Sequence, residues 1–299
     1  MFQPKNLHSR STLKNLKHTA RMLYWRLFRH GSPSFFIVGA QKAGTTSLAD
    51  LLVQHSKVSM GLEKELRFFN LDYHYKKGKA YYESMFPIRR ADKGGILHSF
   101  EATPEYLYYP QVAARIHSMF PIAKIVILLR DPVARAYSGW NMFCDYRQQG
   151  KLHPFFASPI TDEQKALRDL YFIGELPTFS ELIDLELSEI EDCGTCLEPS
   201  MIRRGIYYDQ VLRYFELFGR ENVHVAFLEE MSAKPEDELG GVCHFLGLNA
   251  DELNLSLPKG NARSYSSKIS ENEAARLKAF YRPHDEKLIE LLGRGLPWS

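Results

Sequence analysis

Short apolar runs, each followed by a stretch whose apolar residues recur at helical spacing, organise this chain. Phe35-Phe36-Ile37-Val38-Gly39 is apolar without interruption and ends in glycine, which predicts a strand buried on both faces. The period then changes. Residues 45–54 open on Thr-Thr-Ser, the residue types that satisfy a helix start, and place Leu48, Leu51 and Leu52 toward a core. A second strong strand, Lys124–Leu129, stops at Arg130-Asp131-Pro132, where proline fits the first turn of a helix running to about Gln149. Between them the pattern predicts an aromatic helix over 75–86, a strand over 97–101 and a helix over 111–119. Residues 222–228 alternate and are β-branched enough for a further strand, preceded by a helix at 207–218 and followed by one ending around Leu246. A last helix spans 271–292, with a kink expected at Pro283.

Strands alternating with helices imply an α/β fold of three layers, α/β/α, around a mainly parallel sheet. Its ligand site should lie at the C-terminal ends of the strands. Residues 150–176 carry turn residues and weak periodicity, and read as an irregular insertion near that site rather than a domain boundary. The chain thus divides into an extension, 1–31, and one domain, 32–299.

Composition narrows this further. At 299 residues and 44% hydrophobic content a sizeable core can be filled, which excludes disorder, coiled coil and collagen. The 38 basic and 36 acidic residues are too evenly matched for a general nucleic-acid binder. Their distribution says more: Lys5, Arg10, Lys14, Lys17, Arg21, Arg26 and Arg29 fall in the extension with no acid, so a basic segment precedes a mildly acidic domain. Leu13, Leu16, Leu23, Leu27 and Phe28 among those charges suit an amphipathic helix. Its seat is either an anionic membrane or partner, or the chain's own domain.

The cysteines Cys144, Cys193, Cys196 and Cys243 are too few for a disulfide scaffold and suit a reducing compartment. No stretch approaches the ~20 apolar residues of a membrane span, and the charged start lacks the marks of a secretory signal. The expectation is a cytoplasmic protein, the alternative a Golgi enzyme separated from its anchor. Cys193-x-x-Cys196 has no second such pair or nearby histidines, and the histidines show no ligand spacing. Surface thiols or a local disulfide are expected there, and no metal site.

Three constellations carry chemistry. Gly39-Ala40-Gln41-Lys42-Ala43-Gly44-Thr45-Thr46-Ser47 lies between strand and helix, where small residues let backbone N–H groups and a helix N-terminus close around an anion. The loop is P-loop-like but not a Walker A sequence, because Lys42 precedes Gly44 instead of following the last glycine. Arg130-Asp131-Pro132-Val133-Ala134-Arg135-Ala136-Tyr137-Ser138 is the second strand end leading into a helix, with Arg135 and Ser138 on one face. Arg130 and Ser138 suit a second phosphate, although such a turn also serves as a helix-start salt bridge. The third is Lys64-Glu65-Leu66-Arg67-Phe68-Phe69, with Glu63 as a neighbouring solvated charge.

Taken together, with the Lys64–Phe69 motif between the other two, they resemble the PAPS-dependent sulfotransferases, in the carbohydrate branch that contains the heparan-sulfate N- and 3-O-sulfotransferases and a chondroitin 6-O-sulfotransferase. QKAGTTSL is similar to that family's 5′-phosphosulfate loop, LRDPVARAYSGW to its 3′-phosphate segment and KELRFF to its acceptor-site motif. The likeness continues through RRGIYYDQVLRYF, PKGNARSYSSKI and AFYRPHDEKLIELLG, covering roughly residues 34–298.

The resemblance implies a donor of 3′-phosphoadenosine 5′-phosphosulfate (PAPS), a product PAP, no metal, and a carbohydrate or related small acceptor bearing a hydroxyl. It assigns Glu65 as base and Lys42 as the cation beside the leaving oxygen. Lys42, Ala43, Gly44, Thr45, Thr46 and Ser47 would hold the 5′-phosphate, and Arg130 and Ser138 the 3′-phosphate. Arg263, with Lys259, Asn261 and Ala262, matches a basic loop over the nucleotide. Tyr207 is either near the nucleotide or a packed helix tyrosine. Lys64, Arg67, Glu101 and Glu105 fall to the acceptor, the two glutamates alternatively to loop capping. Ala102 stands where many heparan enzymes carry a basic residue, which puts a polyanionic acceptor in doubt. The rivals are a magnesium-dependent P-loop-like kinase and a non-catalytic module that binds nucleotide or sulfated glycan.

Overall fold

The apolar runs pair as parallel strands in the computed structural model, which describes residues 31–86, 98–151, 169, 174–192, 200–253 and 268–299. In chain order they are β1 (Phe35–Gly39), β2 (Val58–Met60), β3 (His98–Ala102), β4 (Lys124–Leu129) and β5 (Val223–Phe227). They form one five-stranded sheet in the order β2-β3-β1-β4-β5, and every pairing is parallel. All five residues of β1 are buried, as are the last five of β4, so both faces of the sheet centre are covered. Phe35 stacks on Phe100 of the neighbouring β3 with centroids 4.8 Å apart.

The helices are α1 (Thr45–Leu52), α2 (Asp72–Tyr75), α3 (Gly78–Glu83), α4 (Pro110–Met119), α5 (Pro132–Gln148), α6 (Phe179–Asp192), α7 (Tyr207–Phe218), α8 (Leu228–Ala233), α9 (Pro235–Leu246) and α10 (Glu271–Leu292). Proline opens α4, α5 and α9, where its missing N–H costs no hydrogen bond. A capping box joins Ser270 and Glu273 at the start of α10, which continues through Pro283.

Three departures from the pattern have local causes. The single aromatic helix expected over 75–86 is two short ones, because Gly78 takes a φ of 80°, which a continuous helix cannot hold. β2 has only three residues, too few to show a period. The segment expected to end around Leu246 is also two helices, α8 and α9, separated at Lys234 ahead of Pro235.

The main core surrounds the sheet. A second one joins Val133, Ala136 and Tyr137 of α5 to Phe179, Leu182 and Ile183 of α6, to Met201 and Ile202, and to Leu277 and Tyr281 of α10. At the C-terminus the Trp298 ring packs on Phe227, centroids 5.3 Å apart, while its indole N–H donates to Asp285 Oδ2 at 3.0 Å. Burial pushes the Asp285 carboxyl up to about 6. The native state therefore holds this proton more tightly than the unfolded chain, and stability falls as pH rises through about 4 to about 6. Asp285→Asn keeps an oxygen for the indole and removes the penalised charge. It should melt higher than the parent above pH 6 and with the parent below ~4, as followed by circular dichroism.

Candidate active site

The order of the strands puts β1 at the point where successive connections change direction, with the C-terminal ends of β1 and β4 side by side. Both basic motifs begin there. β1 can pass beneath the turn after β3 only as glycine: a Cβ at Gly39 would stand 2.5 Å from Leu107 Cβ and 3.0 Å from the Pro104 carbonyl. Ala40 N–H then donates to Leu128 O of β4 at 2.6 Å, and Ala43 N–H returns to Ala40 O at 3.1 Å. Gly44, with φ at 90°, is the N-cap of α1 and makes no side-chain cap. Thr45, Thr46 and Ser47 are therefore not the cap their position suggested but the first turn itself. Thr45 is buried, Ser47 half-buried and Thr46 exposed. Lys42 and Gly44, both left-handed, bend the loop, and the positive end of α1 opens where the loop closes.

Arg130 ties the second motif to the first, its Nη1 donating to the Lys42 carbonyl at 3.0 Å. Asp131 caps α5, its carboxylate accepting Val133 N–H at 3.0 Å, while its own N–H donates to Glu229 at 2.9 Å. Arg135 and Ser138 do share a face, and that face points inward: both are buried, and Arg135 donates to the Met201 carbonyl. Tyr207 is buried as well, its hydroxyl donating to Arg130 O at 2.9 Å. The packed-tyrosine reading fits it, with Tyr207 one hydrogen bond behind Arg130.

The third motif is anchored by its aromatic pair. Phe68 and Phe69 are buried, and their N–H groups both donate to the Tyr106 hydroxyl, at 2.9 and 3.3 Å. Upstream, Lys64 Nζ donates to the Thr46 hydroxyl, linking this motif to the first turn of α1. Burial holds the Lys64 ammonium below the usual lysine range, against the pull of Glu65 and Asp50. Glu65 N–H donates to Ala102 O at 3.2 Å, and its carboxylate meets Arg67 Nη2 at 2.5 Å and Lys64 Nζ at 3.8 Å. Arg67 Nε donates in turn to Glu105 at 2.8 Å. Lys42, Glu65 and Arg67 are the non-glycine residues with left-handed backbone among the described residues, and all belong to this site.

Of the two readings of Glu101, the geometry fits loop capping: fully buried, its carboxylate accepts the hydroxyls of Tyr106 at 2.6 Å, Thr103 at 2.7 Å and Tyr82, so it braces the chain from within. Burial raises its proton affinity, and these donors oppose the shift. Glu105 is buried too. Ala102 is fully buried on β3, so its lack of charge carries no information about an acceptor. Tyr106 and Thr103 organise the motif, and their places beside Glu101 in one six-residue stretch are the signal the sequence holds for them. Lys259, Asn261, Ala262, Arg263, Cys193, Cys196, residues 1–30 and most of 150–176 lie outside the described residues.

Two cationic strand ends thus meet at the switch point, with a glycine-bent loop at one and the Lys64-Glu65 motif tied to the helix that follows it. The sulfotransferase domain model matches residues 32–287, and the chain belongs to that family, which is one of transferases. The kinase reading is set aside.

Among similar proteins, heparan sulfate glucosamine 3-O-sulfotransferase 6 of Mus musculus is 29% identical over 298 residues, covering 91% of this chain and 75% of its own. The membrane-associated sulfotransferase kil1 of Dictyostelium discoideum is 23% identical, covering 89% of this chain, which spans about two thirds (66%) of kil1. A solved sulfotransferase from Alicyclobacillus acidocaldarius superposes with a TM-score of 0.64 at 29% identity, over 89% of this chain and 98% of that one. Among the described residues no helix is long and apolar enough to cross a membrane.

Proposed function

We propose that this chain moves a sulfuryl group from PAPS to a hydroxyl of a carbohydrate, with an amine the lesser alternative. The observation that carries the reading is the hydrogen bond from Lys64 to Thr46, which sets the neighbouring Glu65 beside the start of α1. The heparan sulfate 3-O-sulfotransferases among the relatives support a glycan hydroxyl as the acceptor.

The residues present fit such a donor: an α1 N-terminus without a side-chain cap, a glycine φ of 90° that brings the backbone close, and Arg130 on the adjacent strand end. When bound, PAPS supplies the sulfuryl group on a phosphate leaving group. The chain's part is electrostatic, because the charge that spreads in such a transfer is stabilised by positioned cations. Lys42 neutralises the leaving oxygen, and the first turn of α1 with Thr46 and Ser47 holds the 5′-phosphate. Arg130 is the principal contact of the 3′-phosphate, since Ser138 is buried at 2% exposure. Glu65 takes the acceptor proton.

Calorimetry tests the donor, with PAP against ADP and ATP, with and without magnesium. PAP is expected to bind tightest, without magnesium. Arg130→Ala should erase that preference, worth ~1.5–3 kcal/mol for a charge-assisted hydrogen bond. An unchanged preference would place the 3′-phosphate elsewhere, and preference for ATP with magnesium would overturn the reading.

A further inference from the structure

We propose that Arg67 and Glu105 are positioning residues for Glu65: Glu105 fixes Arg67, and Arg67 fixes the carboxylate that takes the acceptor proton. The inference rests on Glu65 being the base, and it replaces the expectation that Arg67 and Glu105 touch the acceptor.

Exposure decides against acceptor contact first. The Glu105 side chain is 3% exposed and Arg67 18%, while Glu65, at 28%, is the outermost of the three. The guanidinium then sets the geometry. Its Nε donates to Glu105 Oε2 at 2.8 Å and its Nη2 to Glu65 Oε2 at 2.5 Å. Because the group is planar and rigid, where Glu105 holds one edge determines where the other presents itself. Glu105 Oε2 also accepts Asn70 Nδ2 at 3.3 Å, so the buried anchor is itself fixed.

The backbone is held to the same purpose. Glu65 and Arg67 stand at φ of 60° and 50°, a region that side-chain-bearing residues avoid unless their surroundings over-determine them. Glu65 N–H on Ala102 O and Arg67 N–H on Thr103 Oγ1 (3.5 Å) pin the main chain, and the ion pairs pin the side chains. Arg67 engages Oε2, so Oε1, 3.8 Å from Lys64 Nζ, is the oxygen assigned to the proton. In the step, the acceptor O–H proton passes to Glu65 Oε1 and the hydroxyl oxygen pair forms the new O–S bond. The bond from sulfur to the bridging oxygen breaks, its electron pair leaving on the phosphate of PAP.

The test is transfer of labelled sulfate from PAPS to a desulfated heparan oligosaccharide and, in its absence, to water, with PAP affinity and melting temperature measured alongside. Glu105→Gln should lower kcat about tenfold or more and leave acceptor KM and PAP affinity within about twofold. Arg67→Lys keeps a cation beside buried Glu105 but loses the fork, and should repeat that split even if Glu105→Gln folds poorly. In a Glu65→Gln background, Glu105→Gln should cost nothing more, since the group being positioned is gone. A rise in acceptor KM at constant kcat, or losses that multiply in the double variant, would overturn the inference and return both residues to acceptor binding. Should Glu65→Gln itself turn over normally, the base assignment fails first and takes this inference with it.

Discussion

Glu65→Gln is expected to lower sulfuryl transfer by about 10²–10⁴-fold, the usual contribution of a positioned general base. That corresponds to roughly 3–5 kcal/mol of barrier. Glutamine has the size of glutamate, and its amide oxygen can still accept the Arg67 Nη2 that now meets Oε2. What it lacks is a basic oxygen, so the loss reports proton transfer and not collapse of the site. The left-handed turn is held by main-chain bonds, Glu65 N–H on Ala102 O among them, and these are untouched. Affinity for PAP should stay within about twofold, because the anion loop of 40–44 and Arg130 keep their contacts with one another. The measurement pairs turnover of labelled PAPS with calorimetry of PAP. Equal loss of both would mean that Glu65 acts on the anion loop, through the Lys64 link to Thr46, and is not the base.

Much of this fold is legible in the chain because its sheet is parallel and buried, which writes strands as uninterrupted apolar runs. Phe35–Gly39 and Lys124–Leu129 are found at the expected bounds for that reason. α7 and α10 are found because their periods are long, and α10 also has a capping box. β2 escapes because three residues show no alternation, and the helix over 75–86 divides because Gly78 adopts a backbone that sequence alone does not disclose. The site divides in the same way. Loops at strand ends are local, so Lys42, Arg130 and Glu65 stand out by motif. Their contacts are not local: Arg130 reaches back 88 positions to Lys42, and Arg67 meets Glu105 across 38. No local period encodes such a pair. The Arg67–Glu105 pairing is therefore hidden from any reading that takes each residue singly. Glu101 stays ambiguous in sequence for a related reason, since a carboxylate in a polar motif suits capping or an acceptor equally until the tyrosine and threonine hydroxyls around it are seen.

Glu186→Ala should cost ~3–5 kcal/mol of stability, the effect of leaving two buried N–H donors and a hydroxyl without their acceptor. Glu186 lies on α6, a helix unread in the sequence, and its buried carboxylate accepts Met201 N–H and Ile202 N–H at 2.6 Å and the Ser200 hydroxyl at 2.9 Å. Burial raises its proton affinity, while these donors and the Arg135 charge favour the ionised form. Arg135, fully buried on α5, donates to the Met201 carbonyl, so the turn whose N–H groups Glu186 accepts is held from both sides. Alanine would leave both N–H groups and the Ser200 hydroxyl unmet. The damage should reach the donor site, because the same segment supports the start of α5. A Cβ at Gly205 would stand 2.8 Å from Pro132 Cβ, and Tyr281 OH donates to Ile202 O at 2.8 Å. In a domain of this size the melting temperature should fall by on the order of 10 °C. A fixed concentration of PAP should raise the variant's melting temperature less than the parent's, since a ligand of the native state adds stability in proportion to the logarithm of its concentration over Kd and a disturbed site has the higher Kd. Differential scanning calorimetry with and without PAP checks both. A variant that melts with the parent would show that the Met201 and Ile202 N–H groups find another acceptor. If PAP raises the variant's melting temperature as much as the parent's, the α5 and α6 core is separate from the Arg130 site, and the claim that this buried segment holds the 3′-phosphate end in place falls.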